Sequence, residues 1–173
     1  IRFDPVTGLR LSERPWRMAQ IQQGELEFLS TVRGNSLGFP DRDDFGPGRA
    51  DPTVPRVVVL GDSFTAGLHL DVNWPDRVED LLGAEQPVEL LNLSLPGIGL
   101  QNWWRTVRDL LEADDWQVDA VVFAVWGNDL FRRFHLGDAG TGRRLQLGRV
   151  TSWDTAAYPD DRDEARAWLR PSR

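Results

Sequence analysis

The 173-residue sequence predicts an α/β protein built on a parallel sheet. From Arg56 onward, short β-branched runs alternate with amphipathic stretches, the pattern of strands that are covered on both faces. Three such runs each end, at the carboxyl side, in a small polar or glycine-bearing turn. In an open α/β sheet that edge is where ligands bind.

Residues 1 to about 54 show little periodicity and many turn residues, as in Asp4-Pro5-Val6-Thr7-Gly8, Gly34-Asn35-Ser36-Leu37-Gly38-Phe39-Pro40 and Phe45-Gly46-Pro47-Gly48. This reads as an irregular N-terminal extension, within which Trp16 to Val32 alternates loosely enough to admit short strands. Asp51-Pro52-Thr53-Val54-Pro55 reads as a rigid connector. Strand one is then Val57 to Leu60, closed by Gly61-Asp62-Ser63, and Trp74 to Leu82 has apolar residues at helical spacing (Trp74, Val78, Leu81, Leu82). Strand two is Val88 to Leu95, ending in Pro96-Gly97-Ile98-Gly99. Leu100 to Ala113 follows as a helix with Trp103, Val107, Leu110 and Leu111 on one face and Arg105, Arg108 and Asp109 outward. Strand three is Asp119 to Trp126, closed by Gly127-Asn128-Asp129, and as the third strand of a thin sheet it leaves an exposed apolar edge. Beyond it the pattern weakens to one or two helical turns over Leu130 to Leu136, a hairpin over Arg143 to Thr151 and the start of a helix over Asp163 to Leu169.

Composition excludes whole chemistries. There is no Cys and no Lys, all 20 basic residues are Arg, and there are 2 His. That removes disulfides, thiolate nucleophiles and metal sites, Schiff bases and the Walker lysine. The net charge of -7, with arginines scattered among acids, argues against nucleic acid as a partner. The longest apolar run, Ala120 to Trp126, is far short of the roughly 20 residues that span a bilayer. The chain opens on Ile1 rather than Met, which suggests an upstream segment. If that segment is a signal or anchor, the domain is extracytoplasmic.

Glycine-rich turns after strands invite a nucleotide reading. Gly97-Ile98-Gly99-Leu100-Gln101-Asn102 lacks the third glycine of a dinucleotide fingerprint, however, and Gly61 to Gly67 has the wrong spacing for a P-loop with no Lys after it. Asp41-Arg42-Asp43-Asp44-Phe45-Gly46 has Phe45 and Pro52 where a calcium loop needs oxygen ligands, so it reads as a solvated turn. Neither cofactor nor metal is expected. Ser63 follows an apolar strand and precedes a helix, a position that suits a nucleophile beside free backbone amides. By position alone it reads first as a helix cap. It is not the Gly-x-Ser-x-Gly elbow, because Thr65 stands two residues on.

The three blocks together resemble the SGNH (GDSL-type) hydrolase family: Gly61-Asp62-Ser63, Asn92-Leu93-Ser94-Leu95-Pro96-Gly97 and Gly127-Asn128-Asp129. Asn35-Ser36-Leu37-Gly38-Phe39 followed by Arg42 or Asp43, and Val58 to Gly67, look like one bacterial subgroup, so the resemblance covers about residues 35 to 130. It implies a three-layer α/β/α flavodoxin-like sheet over residues 55–173, after the 1–54 extension. It also implies a Ser63 acyl-enzyme formed from a lipid, small acyl or acylated-sugar ester, with Gly97 and Asn128 joining Ser63 as oxyanion donors. Removing one such donor typically costs about 3 to 4 kcal/mol. An acyltransferase onto glycans would use the same site. Asp62 reads as structural, with substrate contact as the second reading, and Asp129 likewise reads as structural. Trp126 adjoins Gly127-Asn128 and is a candidate pocket wall, although Trp74, Trp103 and Trp126 all fit packing positions by periodicity.

The family's base is a His three residues after an Asp, and no Asp-x-x-His occurs here. In a helical 130–136 segment His135 lies roughly 10 Å along the axis from Asn128, and His69 lies about 9 Å beyond Ser63 and is turned away from it. Three accounts remain, in this order: the base lies beyond Arg173 in a longer chain, the protein is a degenerate member that binds without turnover, or a partner chain supplies the histidine.

Overall fold

The computed structural model describes residues 2–4, 6–112, 115–127, 129–131, 135–138 and 143–146. Its centre is a three-stranded parallel sheet made of β5 (Arg56–Gly61), β6 (Glu89–Asn92) and β7 (Ala120–Ala124), in the spatial order β6-β5-β7. The first strand in sequence is therefore the middle one, with Val58 beside both Leu91 and Val121. Two antiparallel pairs precede it, β1 (Arg2–Asp4) with β2 (Gly8–Arg10) and β3 (Trp16–Gln22) with β4 (Glu25–Val32), and a third follows, β8 (His135–Asp138) with β9 (Arg143–Gln146). Three helices accompany the sheet: α1 (Ser63–Ala66), α2 (Trp74–Leu82) and α3 (Leu100–Arg105), the last continuing into a wider π turn over Thr106–Leu111. The Thr106 hydroxyl donates to the Asn102 carbonyl within that helix (3.0 Å), the kind of back-bond that loosens a ladder at this point. No helix among the described residues is long and apolar enough to cross a membrane.

The core joins the extension to the sheet. Leu9, Leu11, Val32 and Phe39 pack in one cluster with Val58, Leu60, Leu91, Leu93, Leu95, Ile98, Trp103 and Trp116. A polar tie crosses the same boundary: Asn102 donates to the Thr7 carbonyl (2.9 Å). Within the extension the Arg10 guanidinium, paired with Asp4 at 3.0 Å, lies 4.3 Å over the Phe39 ring. At the amino ends of the strands Arg56 pairs with Glu89 at 2.6 Å and donates to the Gly46 and Trp116 carbonyls, while its own N–H goes to Asp119 (2.7 Å). A buried guanidinium with this many acceptors keeps its charge compensated.

The strands, α2 and α3 fall where periodicity predicts them, with strand two shorter (Glu89–Asn92) and strand three reduced to Ala120–Ala124. The Trp16 to Val32 segment, expected only to admit short strands, forms an antiparallel pair with a register shift at Gln20/Ile21. The predicted apolar face of α2 is not the buried one. Leu81 is 72% exposed and Trp74 38%, whereas Asp76 is buried and Glu79 half-buried. The reason is what α2 packs beside. Among the described residues β6 is an edge strand, and its outward amides need acceptors rather than methyl groups. Glu79 Oε1 accepts from Leu90 N–H (2.6 Å), and two residues on Asp41 Oδ2 accepts from Asn92 N–H (2.8 Å). Asp41 is thus 5% exposed, not part of a solvated turn. Arg105, expected outward, is buried and paired with Asp109 at 3.1 Å one helical turn on. Trp103 is fully buried as expected, and Trp126, in the turn just past β7, is 59% exposed. Where helical turns were expected over 130–136, a short turn spans Asp129–Phe131 and His135 opens β8. The strand Arg143–Gln146 matches the first half of the expected hairpin, but it pairs with β8. The predicted helix at 163–169 lies outside the described residues.

Candidate functional site

The site is built at the carboxyl end of β5. Gly61 closes the strand, and only glycine fits there: a Cβ on it would stand 2.3 Å from Thr65 Oγ1. This allows the chain to turn straight from strand into α1. Asp62 caps that helix, its carboxylate accepting from Phe64 N–H (2.9 Å), and it is 1% exposed. Since Asp62 does the capping, Ser63 does not. Ser63 is the first helical residue, half-buried, and neither its hydroxyl nor its N–H has a hydrogen-bond partner among the described residues. Gly67 ends the helix in the left-handed region (φ 60°), folded against Asn73.

The turn after β6 runs alongside. Leu93 N–H donates to the Val59 carbonyl (2.9 Å) and Leu95 N–H to the Gly61 carbonyl (3.2 Å), so the chain tracks β5 to its end before reaching Gly97. Gly97 is half-buried at φ 77°, and its N–H is unpartnered among the described residues. From α3, Trp103 Nε1 donates to the same Gly61 carbonyl (3.3 Å). On the other side, the turn after β7 is held by Asp129, which is fully buried and accepts from Trp126 N–H (2.7 Å). The Trp126 and Phe64 rings meet with centroids 5.5 Å apart, joining the third turn to the first. Asn128, the third expected donor, lies outside the described residues. The three turns named in the sequence thus lie at the carboxyl ends of three adjacent strands, with Ser63 on the middle one.

His69 is exposed and packs on Phe28 of β4 at 4.3 Å between ring centroids. It makes no hydrogen bond to Ser63. Among the described residues no group of three or more His, Cys, Asp or Glu side chains is arranged to hold a metal ion.

Residues that sequence reasoning left unassigned hold the site from behind. Asn92, fully buried, donates from its side chain to the carbonyls of Pro40 and of Thr65 in α1 (both 3.4 Å) and accepts from Ser94 N–H (3.2 Å). Asp41 holds the backbone of Asn92 and also accepts from Asp43 N–H (2.9 Å). Burial pushes the Asp41 carboxyl up to about 7 against those two hydrogen bonds, with Asp76 and Glu79 adding like charge. Burial likewise raises Asp76 and Glu79 above the usual carboxylate range. Arg42 spans this acidic group, 2.6 Å from Asp80 and 3.1 Å from Glu79. Both Asn92 and Asp41 sit inside motif blocks visible in the sequence, yet nothing local says that they touch. A cleft of about 310 Å³ opens beside them, walled by Val32, Asp41, Ala66, Gly67, Leu70 and Asp76 and not by Ser63.

No family model matches this chain, and neither a curated protein nor a solved structure is similar to it at a significant level.

Proposed function

We propose that this chain carries the nucleophile and oxyanion half of an SGNH-type serine hydrolase of flavodoxin-like α/β/α architecture, acting on a carboxylic ester of a lipid, a small acyl group or an acylated sugar. The observation that carries the reading is the uncommitted Ser63. Asp62 has taken over helix capping, so a half-buried hydroxyl stands at the end of the central strand between the two other motif turns. The strand order β6-β5-β7 is that of the first half of a flavodoxin-like sheet and supports the fold assignment. In this reading Ser63 Oγ attacks the ester carbonyl carbon while its proton passes to a general base. The Ser63 and Gly97 N–H groups stabilise the negative oxygen, with Asn128 as the third donor. The alcohol then leaves with that proton, and water releases the acid from the acyl-enzyme. A sugar hydroxyl in place of water would give the glycan O-acyltransferase.

One observation favours a second reading, binding without turnover: the sequence has no Asp-x-x-His, and His69 is engaged with Phe28. The two readings separate on p-nitrophenyl acetate and on labelling by a fluorophosphonate probe. Hydrolysis and labelling that vanish in Ser63→Ala support the enzyme. A full-length gene product whose wild-type and Ser63→Ala forms behave alike in both assays removes the hydrolase reading and leaves the binding one.

A further inference from the structure

The Asn92 side chain touches the extension, the nucleophile helix and the turn leading to Gly97 at once, through the Pro40 carbonyl, the Thr65 carbonyl and Ser94 N–H. Its own backbone N–H points off the edge of the sheet, where no strand of the described residues follows β6. What stops it is a single carboxylate oxygen from 51 residues earlier, Asp41 Oδ2 at 2.8 Å. Downstream, Ser94 Oγ donates to the Val59 carbonyl (3.4 Å) and Leu95 N–H to the Gly61 carbonyl, so a displacement of Asn92 is passed along the chain towards Gly97 and against the end of β5.

We propose that Asp41 is a positioning residue of the Ser63 site, setting the 92–97 turn and the α1 backbone through Asn92. This rests on the hydrolase reading for its catalytic meaning but not for its structural content. A charge-assisted bond from a carboxylate to N–H is about twice as strong as a neutral one, so the hold on Asn92 tightens when Asp41 loses its proton. The groups that face Asp41 are known from each element around it. Asp76 and Glu79 come from α2 and Arg42 and Asp43 from its own segment, while Arg33 and Asp71 share the adjoining cleft. β6 contributes only Glu89, which is committed to Arg56, and α1 contributes no titratable side chain. The carboxylates outnumber the arginines, which agrees with the raised proton affinity of Asp41.

The experiment is an amide-shift titration of the 15N-labelled chain from pH 5 to 9, alongside the Asp41 side-chain carbon signal. The Ser94 and Gly97 amides should move with the Asp41 midpoint, near 7, and stay flat in Asp41→Asn. If the Asp41 signal titrates while both amides remain still, or if the amides titrate unchanged in Asp41→Asn, the positioning role is wrong. The wild-type titration decides the matter by itself should the variant not fold. In parallel, fluorophosphonate labelling of Ser63 in the full-length gene product at pH 8 should fall about tenfold or more in folded Asp41→Ala, the scale expected of a small misplacement in a site. Absence of labelling in wild type as well would fail the hydrolase reading alone, because the amide titration does not depend on it.

Discussion

Asp41 makes the pH dependence of stability calculable. Its carboxyl is raised from 3.8 to about 7 in the folded chain, chiefly by burial, and returns to the ordinary value on unfolding. A carboxyl of raised pKa holds its proton better when folded, so its stabilising contribution is complete below pH 4. That contribution is lost as pH rises through 7. Three pKa units correspond to about 4 kcal/mol, a large part of the stability of a small domain. Asp41→Asn removes the titration. It also places an amide N–H₂ against one of two backbone donors, but that penalty does not vary with pH. Urea unfolding of both proteins at pH 4, 6 and 8 isolates the effect, since Asp76 and Glu79 remain in both and largely cancel. The stability of the wild type minus that of the variant should fall by about 4 kcal/mol between pH 4 and pH 8. A difference that is flat to within about 1 kcal/mol, or that rises with pH, refutes the claim that desolvation dominates at Asp41.

The other expectations concern single contacts. Glu79→Ala removes the acceptor of Leu90 N–H and one partner of Arg42, and should destabilise by about 1 to 3 kcal/mol in the urea midpoint with the slope unchanged. It should also promote association through the bared β6 edge, read by light scattering. Trp103→Ala empties a fully buried site and removes one of the two donors to the Gly61 carbonyl, for a loss of about 3 to 5 kcal/mol by the same assay. Gly61→Ala forces a Cβ onto Thr65 and should cost about 1 to 3 kcal/mol, much of it recovered in the double variant with Thr65→Gly. Strict additivity of those two changes would show that the close approach is not what requires glycine.

The parts of this fold that are legible in the sequence are those governed by neighbours along the chain. Val57 to Leu60, the helix at Trp74 to Leu82 and the turn at Gly61-Asp62-Ser63 all follow from local patterning. Ser63 is singled out by its place between strand and helix, but its release from capping is not, because Asp62 and Ser63 are both good caps and only the backbone geometry chooses between them. Trp126 shows the opposite limit. Its apolar run predicts burial, while its place in the turn just past β7 leaves it mostly exposed against Phe64.

The sequence by itself determined which segments become strands, which turns end them and which chemistries are absent. Tertiary structure alone decided that the first strand lies in the middle, that α2 turns carboxylates rather than leucines inward, and that Asp41 in the extension reaches Asn92. The physical reason is that the outward amides of an edge strand must find acceptors wherever the chain can supply them. That need arises only once strand order exists, and it leaves no periodicity in the sequence.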